Sequence, residues 1–303
     1  MMRILKWIGI VLGALIILIV VLVGGLYFTG RSRLAQAPQI QGQAVNIPTD
    51  EAALARGEHL ANYVSLCKDC HGANFGGEIF VDESPIGVVA APNLTGGQGG
   101  VGATNTVEDW ERAIRHGIGH DGRTLAFMPS NVYAYMSDED LGALIAYLKS
   151  VPPVDNQPPQ RALMVPGTII FGVMAYGEMP VSLIDHNAAQ SVSAPPEGVT
   201  AEYGDYLTRV GACIECHGAK LAGRPVDAEG PPPGPNLTPA GNLRSWSEED
   251  FLTAIRNGIT PEGKNLDPEL MPWPGYANMS DDELKAIWMH LQTLPPKNLG
   301  DNQ

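Results

Sequence analysis

Cys67-Lys68-Asp69-Cys70-His71 and Cys213-Ile214-Glu215-Cys216-His217 are two copies of one pattern, Cys-x-x-Cys-His, and they use all four cysteines of the 303-residue chain. Addition of two cysteine sulfurs across the vinyl groups of a porphyrin makes the thioethers of a c-type haem. A histidine directly after the second cysteine then falls under the iron as its proximal ligand. One helical turn spans the vinyl separation, so the two intervening residues follow from the chemistry. A cysteine pair could instead belong to a zinc site, a disulfide or a thioredoxin-like redox couple. Here 146 residues separate the pairs, against about 15–20 in a four-cysteine ribbon. No βαβ pattern surrounds either pair, and none of these alternatives requires the histidine. The pattern predicts two covalently bound haem c groups with their irons, held by Cys67, Cys70 and His71 and by Cys213, Cys216 and His217.

Around the two motifs the chain repeats itself. Gly-Glu-His-Leu (57–60) matches Gly-Asp-Tyr-Leu (204–207), and Pro-Asn-Leu-Thr stands at 92–95 and again at 235–238. Glu-Asp-Trp110 and Glu-Asp-Phe251 are each followed by Ala-Ile-Arg. Met128-Pro129 matches Met271-Pro272, and both methionines lie 36 residues after the proline of Pro-Asn-Leu-Thr. Met-Ser-Asp then leads each copy into a closing helix that ends at Val-Pro-Pro (151–153) or Leu-Pro-Pro (294–296). Each copy has about 100 residues, an ordinary size for a small domain.

The local signals are helical. Thr106-x-x-Asp109 and Ser247-x-x-Asp250 read as capping-box starts, with Gly117 and Gly258 as stops. Leu141, Leu144, Ile145 and Leu148, and then Leu284, Ile287, Trp288 and Leu291, make the apolar stripes of the two closing helices. Between helices the chain is rich in Gly and Pro and is expected to be loop, with the haem serving as much of the core.

An iron that only carries electrons needs a sixth ligand, and each copy offers two methionines at matching positions. Met136 and Met279 precede a serine N-cap, with Leu141 and Leu284 at the fourth helical position; that is a hydrophobic staple and explains them structurally. Met128 and Met271 have no helical role, and the following proline stiffens an extended loop. They are the expected distal ligands. Thioether sulfur favours ferrous iron, and axial ligand choice moves haem potentials over roughly 0.8 V. His116 and His120 lie near Met128, but Asn257 and Pro261 stand at the matching places in the second copy. Surface or supporting roles are expected for them, and packing between domains for His186.

Both copies resemble class I cytochrome c domains, and in particular the cytochrome subunits of bacterial membrane-bound alcohol and gluconate dehydrogenases. The resemblance covers about 51–153 and 200–297 and runs through Cys-x-x-Cys-His, Pro-Asn-Leu-Thr, Ala-Ile-Arg-x-Gly, Met-Pro and Met-Ser-Asp. It implies an all-α fold of two tandem cytochrome c domains behind a single N-terminal transmembrane helix. It also implies that the carbonyls of Pro92 and Pro235 orient the proximal histidines through Nδ1. Those dehydrogenase subunits carry three haems and no comparable N-terminal anchor, so the electron donor is not inherited from the resemblance.

Trp7 to Phe28 is a 22-residue stretch without a charge, flanked by Arg3 and Lys6 and by Arg31 and Arg33. At roughly 1.5 Å per residue it reaches about 33 Å, enough for a hydrocarbon core of about 30 Å. A signal peptide has a shorter apolar core, of about 7–15 residues. Ala35-Gln36-Ala37 looks like a cleavage site, but two arginines separate it from the apolar run, so an uncleaved anchor is expected. Haem attachment on the outer face of the bacterial membrane places the remainder on the periplasmic side. The expected organisation is an anchor (1–30), a Gln/Ala/Pro-rich tether (31–50), a first haem domain (51–153), a connector (154–199) and a second haem domain (200–303). Within the connector, the apolar run Ala162–Tyr176 is too short to span a membrane and is expected to pack between the two domains.

A formal net charge of −14 argues against nucleic acid as a partner and suits solubility or a basic docking face. Gly97-Gln98-Gly99-Gly100-Val101-Gly102 matches the dinucleotide fingerprint formally, but it follows no predicted strand and opens no βαβ unit, so a flexible loop is expected. Asn93-Leu94-Thr95 and Asn236-Leu237-Thr238 match the glycosylation pattern by coincidence, and no nucleophile–base constellation emerges. The expectation is an electron-transfer protein, not an enzyme. It would relay single electrons between a dehydrogenase or quinol-oxidising complex and a terminal oxidase or another cytochrome. The competing expectation is a dihaem enzyme, of peroxidase or thiosulfate-oxidising type, with one open iron.

Overall fold

The computed structural model describes residues 2–190, 192–225 and 233–302. It opens on α1 (Met2–Ala35), an apolar helix whose side chains are almost all exposed until Gly30 and Leu34. The first copy of the repeat contains α2 (Glu51–His59), α3 (Lys68–His71), α4 (Val107–His116), α5 (Ser130–Tyr133) and α6 (Asp138–Ser150). The second contains α9 (Ala201–Val210), α10 (Cys213–His217), α11 (Glu248–Asn257), α12 (Trp273–Tyr276) and α13 (Asp281–Thr293). Between them the connector forms α7 (Val165–Ile169) and α8 (Pro180–Leu183).

In each copy the first helix crosses the last, α2 on α6 and α9 on α13. The glycine of the repeated Gly-x-x-Leu marks each crossing. A Cβ on Gly57 would collide with the carbonyl of Ala143, and one on Gly204 with that of Ala286. Only glycine lets the two backbones meet there. The leucine of the same motif, Leu60 or Leu207, is fully buried at the seam. One residue more separates this glycine from the first cysteine in copy one than in copy two. A π-helical turn, Leu60–Val64, absorbs the extra residue.

Caps fix the remaining helices. Thr106 and Asp109, and likewise Ser247 and Asp250, exchange hydrogen bonds as capping boxes, and Gly117 and Gly258 end those helices in the left-handed conformation. Ser137 and Ser280 cap α6 and α13, while Met136 and Met279 are buried just ahead of them, as the staple requires.

Five expectations are corrected. Not all the inter-helical chain is loop: β1 (Ile79–Glu83) and β2 (Gly87–Ala90) form an antiparallel hairpin, extended by β3 (Ala162–Leu163), with Glu83 opposite Gly87 and Val88 opposite Ala162. The sheet is small, and the mostly helical class stands. The connector's apolar run does not lie between the two copies. It packs on the end of α1, where Gly30 and Gly172 approach so closely that neither accommodates a Cβ. The glycine-rich segment 97–102 is a fitted loop: Gln98 N–H donates to Asp155 at 2.8 Å, and Gly97 presses on the Val154 backbone. His116 is not a surface residue. It is fully buried, with Nδ1 2.9 Å from Nδ1 of His186 and Nε2 3.4 Å from Glu111. His186 Nε2 lies 3.1 Å from the Val181 carbonyl, so this connector histidine ties the connector to α4 and not one domain to the other.

The two copies share one continuous core and meet about a local two-fold relation. Arg56 makes a paired contact with Asp140 (both N···O 2.9 Å) and reaches Glu283 of the other copy at 3.2 Å. His59 Nε2 is 2.7 Å from Glu283, while Tyr206, the counterpart of His59, donates its hydroxyl to Asp140 at 2.7 Å. Burial alone would raise the Glu283 pKa, but the His59 hydrogen bond and the charges of His59 and Arg56 outweigh it and hold the carboxyl below its ordinary value.

Candidate haem sites

Each motif is one turn of helix entered through a left-handed residue, Leu66 or Ala212, and left through a positive-φ glycine, Gly72 or Gly218. His71 and His217 are both buried at the end of that turn. The Nδ1 of His71 is 2.9 Å from the carbonyl oxygen of Pro92, and that of His217 is 2.8 Å from Pro235. A carbonyl only accepts, so Nδ1 carries the proton and Nε2 keeps its lone pair. Burial lowers both histidine pKa values, which keeps the rings neutral as ligands must be. Burial also pushes the Cys67 and Cys213 thiols up to about 12. Neutral buried thiols suit neither a zinc site nor a reactive redox pair, both of which use thiolate. No cluster of three or more metal-ligating side chains occurs among the described residues.

Pro-Asn-Leu-Thr holds the proline carbonyl in place. Asn93 accepts from Thr95 N–H (2.9 Å) and donates to the carbonyls of Val154 (2.7 Å) and Asn156 (3.0 Å). Asn236 accepts from Thr238 N–H (2.9 Å) and donates to Lys297 (2.7 Å). Thr95 and Thr238 accept in return from the N–H of Val154 and Lys297. Val154 and Lys297 each follow the Pro-Pro that ends a closing helix, so the motif lashes the proximal loop to the end of the copy. Asn93 is fully buried, which removes glycosylation there on structural grounds.

In the first copy Cys67, Cys70, His71, Pro92 and Met128 line a single cavity of about 330 Å³. The wall is otherwise largely apolar, with Trp110, Ile114, Leu144 and Leu148. Met136 lies outside it, in the core. Two buried polar atoms of lining residues, Trp110 Nε1 and Asn105 Oδ1, have no protein partner. An apolar slot with a ligand-ready histidine, two thiols and spare polar atoms fits a porphyrin that carries its own polar groups. His120, expected from the sequence at the surface or in a supporting role, also stands on this wall. In the second copy Met271 packs at the edge of the core that Cys213 also borders. The Met-Pro turns match: Ser130 N–H donates to the Met128 carbonyl at 2.7 Å, and Trp273 N–H to that of Met271 at 2.6 Å.

Sequence reasoning missed Tyr133 and Tyr276. Each donates its hydroxyl, at 2.7 Å, to the carbonyl two residues before the first cysteine, Ser65 or Gly211. Each therefore ties a Met-Pro turn to the attachment turn of its own copy. Their signal was present: both lie five residues after the methionine. The two attachment turns also meet the other copy. Asn131, in the turn after Met128, donates to Glu215 inside the second motif at 2.6 Å. Leu66, one residue before Cys67, packs on Gly275 in the turn after Met271. Ser65 Oγ bridges to the carbonyl of Val210 at 3.2 Å.

Residues 54–152 match the family described as cytochrome c, and residues 201–291 match the cytochrome c oxidase, cbb3-type, subunit III family. The chain belongs to the cytochrome c proteins and carries two such domains in tandem, each implying a covalently bound haem c. It is similar to the cytochrome c subunit of the quinone alcohol dehydrogenase of Gluconobacter oxydans (strain 621H), 30% identical over 290 residues that cover 84% of this chain and 58% of that one. It is 28% identical over 272 residues to the fructose dehydrogenase cytochrome subunit of Gluconobacter japonicus, covering 81% and 53%. A diheme cytochrome c-type protein of Cereibacter sphaeroides is 28% identical over 277 residues, covering 82% and 87%. The chain thus spans little more than half the length of the dehydrogenase subunits that it matches.

Proposed function

We propose that this chain is a membrane-anchored dihaem relay that passes single electrons from a dehydrogenase or quinol-oxidising complex to a terminal oxidase or another cytochrome. The observation that carries this reading is the contact between the two attachment turns and the opposite Met-Pro turns. It puts the two cofactor sites on either side of one packed interface, where electrons can cross without leaving the protein.

In this reading Cys67 and Cys70, and Cys213 and Cys216, carry the thioethers, and each bound haem supplies an iron that cycles between ferrous and ferric. The chain's own work is to hold ligands and exclude water. Pro92 and Pro235 fix the proximal rings of His71 and His217 so that Nε2 faces the cavity. Met128 and Met271 would supply thioether sulfur to the iron, on turns stiffened by proline and tied down by Tyr133 and Tyr276. Two protein ligands to each iron would favour electron carriage over substrate binding. Domain limits of 51–153 and 200–303 follow from the repeat. Similarity to dehydrogenase subunits supports a redox protein as partner. Apolar α1, 34 residues long, supports a single membrane pass; the periplasmic side of the haem domains is inferred from where c-type haem is attached.

The test is an optical spectrum of the purified holoprotein, oxidised and reduced, with a pyridine haemochrome count. The expected result is two c haems per chain, low-spin in both states, with no carbon monoxide binding on reduction. A high-spin or carbon-monoxide-binding haem would overturn the relay and put the dihaem enzyme in its place.

A further inference from the structure

Arg161, immediately ahead of β3, stands on the wall of the first haem cavity beside Arg123. Its Nη1 donates to the carbonyl of Thr124 and its Nη2 to that of Leu34, both at 2.9 Å. These two bonds use two of the five guanidinium N–H groups. Neither acceptor carries a charge. No carboxylate among the described residues is in ion-pair contact with Arg161. The only acid on the cavity wall among the described residues, Asp121, pairs with Arg123 at 3.1 Å. Burial, and then the neighbouring Arg123, work against the charge of Arg161 and lower its pKa. A half-buried cation beside a second cation, with two carbonyls as its hydrogen-bond partners and the nearby Asp121 carboxylate shared with Arg123, is left short of negative charge until a further anion arrives. Haem brings two carboxylates, on the porphyrin edge away from the vinyl groups. The cysteines stand on the wall built by 65–71, whereas the arginines stand on the wall built by 119–128 and 157–161.

We propose that Arg161, a residue of the connector and not of either haem domain, is the counter-cation for the propionates of the first haem and sets that haem's potential. The proposal rests on attachment of that haem at Cys67 and Cys70. Positive charge beside a haem favours the ferrous state, which carries one positive charge fewer than the ferric. Through the Leu34 carbonyl the same guanidinium grips the last turn of α1, so the haem carboxylates and the end of the apolar helix share one cation.

The experiment is a spectroelectrochemical titration of the full-length holoprotein, with haem counted by pyridine haemochrome, for wild type, R161Q and R161K. The wave of the first haem is identified as the one that Met128→His displaces. With R161Q that wave moves to lower potential by about ten-fold in the reduction equilibrium, about 59 mV for one electron. The second wave stays in place. R161K, which keeps the charge on a single ammonium without the guanidinium fork, retains most of the wild-type value. Two haems per chain and an unmoved first wave in R161Q overturn the proposal. An equal shift in R161K and R161Q also overturns it, because the residue would then act through its carbonyl bonds alone. Should the wild type carry fewer than two haems, or Met128→His displace neither wave, the attachment reading fails and the proposal falls with it.

Discussion

Arg56 is the residue whose loss should most damage the contact between the two copies. Its guanidinium neutralises Asp140 in its own copy and Glu283 in the other, and the three side chains are 18%, 10% and 7% exposed. Arg56→Met roughly keeps the length of the side chain and removes the charge, leaving Glu283 with His59, 2.7 Å away, as its remaining side-chain partner across the copies. Removing one member of a buried pair costs about 3–5 kcal/mol, because the other charge stays desolvated. The partial exposure of Arg56 places the expected loss at the lower end, about 3 kcal/mol. With an m-value of about 3 kcal/mol/M, the urea midpoint of the holoprotein followed by far-ultraviolet circular dichroism falls by about 1 M. The pH dependence has a definite sign. Glu283 is held below its ordinary pKa in the folded protein, so its contribution is full above its unfolded pKa of about 4.3 and is lost as pH falls through the lower folded value. The gap between wild type and Arg56→Met should therefore be complete at pH 7 and narrow below about pH 4. An unchanged midpoint, or a gap of constant size from pH 7 to pH 3, refutes the reasoning.

Other substitutions probe the sites themselves. Gly57→Ala and Gly204→Ala each force a methyl group into a helix carbonyl, and each should cost about 1–3 kcal/mol in urea unfolding. Met128→Ala should open one iron and bring carbon monoxide binding to the reduced protein, whereas Met136→Leu should leave the spectrum unchanged, its side chain being core. Asn93→Ala leaves buried backbone groups of 95, 154 and 156 without a partner, for about 1–3 kcal/mol of stability. Because the same asparagine positions Pro92, that variant should also shift the potential of the first haem in redox titration.

What the chain revealed without coordinates was what local chemistry determines. Cysteine spacing announced the attachment turns, capping residues marked the starts of α4, α6, α11 and α13, and the glycines after α4 and α11 marked their ends. The staple reading separated Met136 from Met128 because both halves of that motif are close in sequence. The failures share a different cause. Hairpin β1–β2 lies in a stretch without clean alternation, and its third strand comes from the connector about 70 residues later, a pairing that no window can see. Whether 97–102 is flexible depends on whether 154–157 packs against it. His116 looked like a surface residue because its partners, Glu111 and His186, are one turn and 70 residues away.

The pattern of agreement between the copies carries its own argument. Where the two halves agree, the residues belong to the proposed haem sites or to the frame around them: the cysteines and histidines, Pro-Asn-Leu-Thr, Met-Pro, Tyr133 and Tyr276, and the crossing glycines. Where they differ, the residues meet something outside their own copy. Arg56 and His59 stand opposite Tyr203 and Tyr206, and Asp140 stands opposite Glu283. The His59–Glu283 and Tyr206–Asp140 contacts are thus matching contacts between the copies, made to a carboxylate by an imidazole on one side and by a phenol on the other. A symmetric pair would put like residues at all of these positions and could equally well join two identical chains. Complementary residues make the contact selective for copy one against copy two. Replacing His59 by Tyr and Glu283 by Asp puts the tyrosine–aspartate contact on both sides. The resulting chain should keep both haem spectra and lose stability at the seam; a chain as stable as the wild type would show that the asymmetry is incidental.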